Sequence, residues 1–290
     1  MNFTRLASRV AVGGVSAALA TAGLVGVTAT SASAAPVSTT YNCTAAGQTF
    51  PIAASVDIAL LPSSAPAGYP VPAGLLSFNS TLTVPDAVQQ LLNSTVNNTG
   101  AKSDDFGTSF GDTLAKAPVA WTKPAAATGG NWVYTGKGAN AAFTLPEAGT
   151  YTVTMPKSFT LVTTGGTAPV TGTCTAAGTP ATIGTIALSK QVATVKAKAT
   201  PKSPEVGDVV TVKGKVTNEY SKTGGPDATG KLIVKDGKKK VGKGKVGTDG
   251  KFKIKVKGLK AGSHKLVVLY LGDGYTDKGK SKVIKVQVKK

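Results

Sequence analysis

Histidine occurs once in 290 residues, at His264, and Asp and Glu together number only 14. That scarcity removes most catalytic chemistry. A Ser-His-Asp triad needs its imidazole beside a carboxylate and a serine, and a zinc site needs several N or S ligands. His264, in AGSHKL, has no such company in the sequence and reads as a turn residue. Glu147, in LPEAGTY, has no neighbouring carboxylate with which to form a glycosidase-like pair. Asp104, Asp105 and Asp112 share one polar Gly/Ser/Thr stretch; the choice there is between a weak Ca²⁺ site and a solvated loop, and the loop is preferred. No phosphate-loop, dinucleotide, H-E-x-x-H or nucleophile-elbow site is expected, and GKGKVGTDGK reads as a hairpin tip. Trp121 and Trp132 flank TKPAAATGGN. They could stack on sugar rings, but core or edge packing is the preferred reading. The expectation is a protein that is not an enzyme and uses no cofactor or metal.

Cysteine is also scarce, with two residues, and both sit in copies of the same pentapeptide: CTAAG at Cys43–Gly47 and again at Cys174–Gly178. Their meaning depends on the compartment. Arg5 and Arg9 precede an uncharged run from Val10 to about Val27, and Ala32-Ser33-Ala34 fits a small-x-small cleavage rule. These three parts in that order read as a secretory signal peptide over residues 1–34. The competing reading, a transmembrane anchor, fits the Gly-rich run and its cleavage site less well. No second apolar run of membrane-spanning length follows in this sequence, and with IKVQVKK as its last strand no C-terminal sorting tail is expected. In an oxidising compartment, two cysteines are most simply one bridge, Cys43 to Cys174, closing a β-rich domain. A loop of that length contributes at most about 5 kcal/mol in the chain-entropy model.

Charge divides the rest of the chain. Residues 35–189 hold five lysines and six acids, whereas residues 190–290 hold 26 lysines, no arginine and eight acids, a net +18. A shift that sharp marks a domain boundary near 188–191, giving domains of 35–188 and 189–290, each large enough for a core of its own. No long Pro/Gly linker separates them, which suggests a short hinge. In the first domain, QTFPIAASVDIAL, STLTV and YTVTM alternate apolar with small polar residues, so it reads as β, disulfide-closed and sandwich-like. The exception is PDAVQQLLNS. Pro85 suits a first helical turn, Asp86 favours that end, and Val88, Leu91 and Leu92 fall at i, i+3, i+4. In the second domain, short alternating segments separated by turn signals, Asp236-Gly237 among them, suggest a β-sandwich.

Two resemblances can be stated on these residues. YNCTAAG, LTVPDAVQQLLN, LPEAGTYTVTMPKSFT, VTGTCTAAG and ATIGTIAL together resemble a domain of unknown function found in secreted actinobacterial proteins, over about 37–188. The resemblance implies a secreted β domain with a cysteine near each end, and implies no activity. PEVGDVVTVKGKV, GLKAGSHKLVVLYLGDGY and the last alternating strand resemble bacterial immunoglobulin-like repeats of surface and secreted proteins, over about 190–290. That implies a Greek-key sandwich in which Tyr270 and Tyr275 bracket a turn, Gly272 permits the bend and Asp273 bonds its backbone, all structural roles. The departure is charge, since such repeats are typically Thr-rich and near neutral.

Within Lys251-Phe252-Lys253-Ile254-Lys255-Val256-Lys257, period two turns Phe252, Ile254 and Val256 inward and the four lysines outward, about 7 Å apart. Lys238, Lys239 and Lys240 form a second basic run. One reading is solubility and protection of sheet edges. The other is attraction to polyanions: outside a Gram-positive cell, teichoic acids, wall glycans, the membrane surface or released DNA. The lysine-only composition speaks for loose attraction and against specific nucleic-acid recognition, which favours the bidentate fork of Arg. Few aromatics interleave the basic stretches, so stacking on single strands is not expected. The leading expectation is a secreted, envelope-associated protein held by Lys251, Lys253, Lys255, Lys257 and Lys238–Lys240 on anionic cell-wall polymers. The alternative is an interaction module whose first domain binds a protein or glycan while the second is a spacer.

Overall fold

The computed structural model describes residues 36–58 and 61–290. The signal peptide expected at 1–34 lies outside the described residues. Among those described, no helix is long and apolar enough to cross a membrane.

The chain is all-β with one short helix among the described residues. Strands Val37–Ala45, Thr171–Ala176, Ser158–Thr164, Gly100–Ser103, Val119–Thr122, Asn131–Ala139, Ser77–Pro85 and Gln48–Ile58 bond in that order and close into a barrel. The alternation seen in sequence sets its inside and outside. In Val37–Ala45, Thr39, Tyr41, Cys43 and Ala45 are buried while Ser38, Thr40, Asn42 and Thr44 are exposed. Closure leaves no open edge, so the Thr/Val-rich strands need no charged guards. The interior is filled by aromatics set edge to face: Tyr41 on Phe159, and Phe106 on both Phe159 and Trp121. The layers expected to form a sandwich-like domain thus take the form of this barrel and a five-stranded sheet beside it. That sheet runs Ser64–Pro66, Thr182–Ser189, Gly149–Thr154, Gly107–Phe110, Thr113–Lys116, over a core that includes Phe110, Leu145, Val153, Ile186 and Leu188.

Cys43 and Cys174 are register partners on adjacent barrel strands, and they are bonded. Both cysteines are buried, inward-facing residues on paired antiparallel strands, so the two matching flanks run in opposite directions, and only Ala46-Gly47 forms a left-handed turn.

The helix, Asp86–Thr95, begins just after Pro85, as the sequence suggests. Its buried residue, however, is Gln89, while Leu91 is 51% exposed. Gln89 accepts from the Tyr134 hydroxyl and donates to Asn93 Oδ1 (2.8 Å) and Asn98 Oδ1 (2.9 Å). Asp86 accepts from Trp132 Nε1 at 2.8 Å. Val88 packs against the barrel core and Leu92 is half-buried, as the expected stripe requires, but Leu91 is not part of it, and a polar seam through Gln89 is added where the barrel end presents Tyr134 and Asn98.

Beyond residue 190 two sheets face each other. One is Thr194–Thr200, Val210–Thr217, Lys251–Val256. The other is Lys239–Lys245, Lys231–Asp236, Gly262–Tyr270, with Gly279–Lys280 and Ile284–Val288 both pairing on the last of these. Val195, Val212, Val234, Ile254, Leu266 and Val268 are among the side chains of their shared core.

At the boundary near residue 190, where a short hinge was expected, the sandwich is hydrogen-bonded to the layer of the five-stranded sheet. Gln191 is 3% exposed. Its backbone N–H donates to Tyr275 O (2.8 Å), its amide to Ala67 O, and its Oε1 accepts Tyr220 N–H (3.2 Å). Tyr69 and Tyr220 stack edge to face at 5.2 Å. Ala148 N–H donates to Gly274 O (3.0 Å), and a Cβ on Gly274 would collide with the Glu147 carboxylate. The joint is braced from several directions because residues on both sides supply its hydrogen bonds.

Candidate polyanion-binding surface

Lys251, Lys253, Lys255 and Lys257 are all exposed, and Phe252, Ile254 and Val256 between them are buried. The sandwich places further lysines beside them. Val210–Thr217 pairs with both of its neighbours so that Lys215 faces Lys196 on one side and Lys251 on the other. One step along, Lys213 faces Lys198 and Lys253. Lys196, Lys198, Lys213 and Lys215 were not among the candidates. The signal for them was present in VKAKA and VKGKV, whose register against 251–257 only pairing reveals. Lys238, Lys239 and Lys240 do not join this face. They lie at the Asp236–Lys239 turn of the other sheet, where Asp236 pairs with Lys239 and Lys235 with Lys240.

Countercharge is sparse on the three-stranded face. Asp249 lies 2.8 Å from the Lys251 ammonium, and this hydrogen bond raises the pKa of Lys251. Asp227 lies 4.0 Å from Lys215. Among the described residues, Lys196, Lys198, Lys213 and Lys253 have no carboxylate within ion-pair distance.

The turn residues sit together. Gly272 has φ 85°, a conformation that suits glycine. Asp273 accepts the backbone N–H groups of Thr229 (2.6 Å), Tyr275 (2.9 Å) and Thr276 (2.6 Å). Burial works against the charge on Asp273, but those amides outweigh it and hold its pKa below the ordinary value. Tyr270 is buried in the sandwich core, and Tyr275 packs toward the core of the five-stranded sheet.

The single histidine and Asp105 are tied into the framework, while Asp104 and Asp112 lie at the surface. His264 lies on the Gly262–Tyr270 strand, where a turn was expected. Its Nδ1 is 2.6 Å from Asp236 Oδ2 and its Nε2 2.8 Å from Lys260 O, so no serine completes a triad. The Asp236 hydrogen bond, aided by the Lys260 carbonyl, raises the imidazole pKa. Asp105 accepts from Ser103 Oγ, Thr160 N–H and Thr160 Oγ1, which is a loop brace. Asp104 and Asp112 pair with Lys102 and Lys157. No group of three His, Cys, Asp or Glu that could hold a metal ion occurs among the described residues. Trp121 is 2% exposed and donates to Ser80 Oγ, and Trp132 lies under the Lys123 ammonium at 5.1 Å.

Three strings do match the bare spacing of motifs that were not expected: Gly107–Gly111 for a nucleophile elbow, Gly242–Gly247 for a dinucleotide turn, and Gly274–Ser281 for a phosphate loop. Each of those chemistries needs a helix after the turn. Here each string lies on or between strands, and the helix at 86–95 follows none of them. Ser281 is buried, accepting Val268 N–H and donating to Lys282 O.

Among solved structures the chain is similar to a protein described as membrane anchored from Corynebacterium diphtheriae: 14% identity, 88% of this chain and 58% of that one covered, TM-score 0.30. It is similar to the adhesin InvE of Yersinia pseudotuberculosis at 13%, with 80% and 58% covered and TM-score 0.31. The ectodomain of mouse nectin-like molecule 4 follows at 12%, with 81% and 63% covered and TM-score 0.27. The chain thus spans less than two thirds of the length of each. No curated protein matches it. Residues 197–289 match the Bacterial Ig-like domain (group 3). Residues 40–185, half of the chain, match the Family of unknown function (DUF6801), and the chain belongs to that family.

Proposed function

We propose that this is an exported, non-enzymatic protein of the cell envelope whose lysine-rich Ig-like sandwich holds it on anionic wall polymers. The observation that supports it most is the +18 confined to residues 190–290, displayed on strands whose alternate residues form the sandwich core. Exposed ammonium groups a few ångströms apart raise a positive field that draws polyanions from a distance without shape recognition. The test is retention of the full chain on purified walls, with walls stripped of anionic polymer as the comparison. Retention falls steeply with salt, disappears on stripped walls, and is weakened in K251E/K253E/K255E/K257E. Unchanged retention in that variant removes the strand 251–257 as an anchor.

A second reading makes the barrel the binding element and the sandwich a spacer. The braced joint at Gln191 favours it, because a stiff connection holds the barrel at a set distance and angle. It expects capture of a protein or glycan partner that is insensitive to all lysine changes.

A further inference from the structure

Resting on the envelope-polymer reading, the geometry points to one place on the sandwich where a polyanion is held: a groove across the three-stranded sheet, fitted to a single-chain phosphodiester polymer. Lys196, Lys215 and Lys251 form one row across the strands, and Lys198, Lys213 and Lys253 form the next. The residues between the rows, Ala197, Gly214 and Phe252, are mutual partners whose backbone makes the floor. Together these nine residues line an open groove of about 730 Å³. Gly214 is the centre of the floor. A Cβ there would lie 1.9 Å from Lys196 O and 2.8 Å from Phe252 Cζ, so the ring of Phe252 takes up the room a side chain would need.

The dimensions select the ligand. Neighbouring strands are about 4.8 Å apart and alternate residues about 7 Å apart along a strand. The groove therefore runs across the strands, about 7 Å between its lysine rows and about 10 Å from first strand to third. A thin chain lying in it meets an ammonium on each side at every strand. The lower walls are lysine methylenes, which pack against the carbon links of such a chain while the ammonium heads reach its charges. Phosphodiesters stay ionised throughout the physiological range, and an ammonium serves them as a point charge. A nucleic-acid duplex is too wide to enter.

The second sheet provides the internal control. Its outward lysines are interrupted by apolar residues: Ile233 pairs with Lys243 and Leu269, and Lys235 with Val267. It carries comparable charge without the two unbroken rows.

The experiment measures binding of the full-length chain to poly(glycerol phosphate) across a salt series, with duplex DNA and hyaluronate as comparison probes. The groove variant is K196Q/K198Q/K213Q/K253Q; the control K231Q/K243Q/K265Q/K285Q removes the same charge from the other sheet. Thermal unfolding checks that both remain folded. The groove variant loses at least about tenfold in affinity near physiological salt, and its log–log salt slope becomes shallower by about 3, as expected for four lost contacts to a single-chain phosphate polymer. The control loses less than about threefold. Equal losses in the two variants overturn the groove and leave the envelope-polymer reading standing. Tighter binding of duplex DNA or hyaluronate overturns the phosphodiester assignment. No binding of any probe by the unmodified chain overturns the reading itself.

Discussion

Reduction of the Cys43–Cys174 bridge should cost the barrel a large part of its stability. The two cysteines are 131 residues apart in sequence, and the bridge joins strands that pair to close the barrel. Opening so long a loop restores about 17 cal/mol/K of denatured-chain entropy, or about 5 kcal/mol at 25 °C as an upper figure. The tryptophans are well placed to report it: Trp121 is in the barrel core, Trp132 is on a barrel strand, and the sandwich has none. Urea unfolding followed by their fluorescence is therefore a barrel-specific assay. With a denaturant slope of about 2 kcal/mol per molar, the midpoint falls by about 2–2.5 M on reduction. The slope itself rises, because an uncrosslinked chain exposes more surface on unfolding. C43A/C174A shows the same loss plus about 1–2 kcal/mol for the deleted buried atoms. A loss on reduction under about 1 kcal/mol, with an unchanged slope, would refute the argument that the bridge acts by constraining the unfolded barrel.

Other consequences are as direct. Gly214→Ala forces a Cβ into the Lys196 carbonyl and the Phe252 ring, and lowers sandwich stability by about 2–3 kcal/mol in thermal unfolding while the tryptophan-monitored barrel transition stays put. Asp273→Ala strands three backbone amides in a partly buried turn and costs about 2–4 kcal/mol by the same measurement, with Asp273→Asn recovering part of it. His264 has a folded pKa above its unfolded value near 6.5, so its contribution is full below that value and is lost as pH rises through the folded pKa. Asp236→Asn flattens that limb of the stability–pH profile. Gln191→Ala leaves Ala67 O and Tyr220 N–H without their partner; amide exchange at Tyr220 accelerates and the barrel–sandwich distance distribution broadens in solution scattering.

Much of the architecture could be read before any fold was known. Period-two alternation over Lys251–Lys257 requires that one side face a core, and the structure buries Phe252, Ile254 and Val256. Repeated CTAAG strings around the only two cysteines pointed to one bridge, and the bridge is present. Pro85 and Asp86 marked the start of a helix correctly. Val88 does pack on the barrel core, but the burial of Gln89 was missed because it depends on Tyr134 and Asn98, which reach it from other parts of the chain. His264 looked like a turn residue for the same reason, since Asp236 lies 28 residues away and meets it only through strand pairing.

Local pattern thus determined that this chain is β-rich, cysteine-bridged and divided by charge, because alternation, composition and loop chemistry act over a few residues. Register, closure and the joint belonged to the tertiary structure. Whether eight strands open into layers or close into a barrel depends on pairing between Val37–Ala45 and Thr171–Ala176, at opposite ends of that unit. Whether lysines on three separate strands form two rows depends on which residue faces which, and a slip of one residue would scatter them to the other side of the sheet.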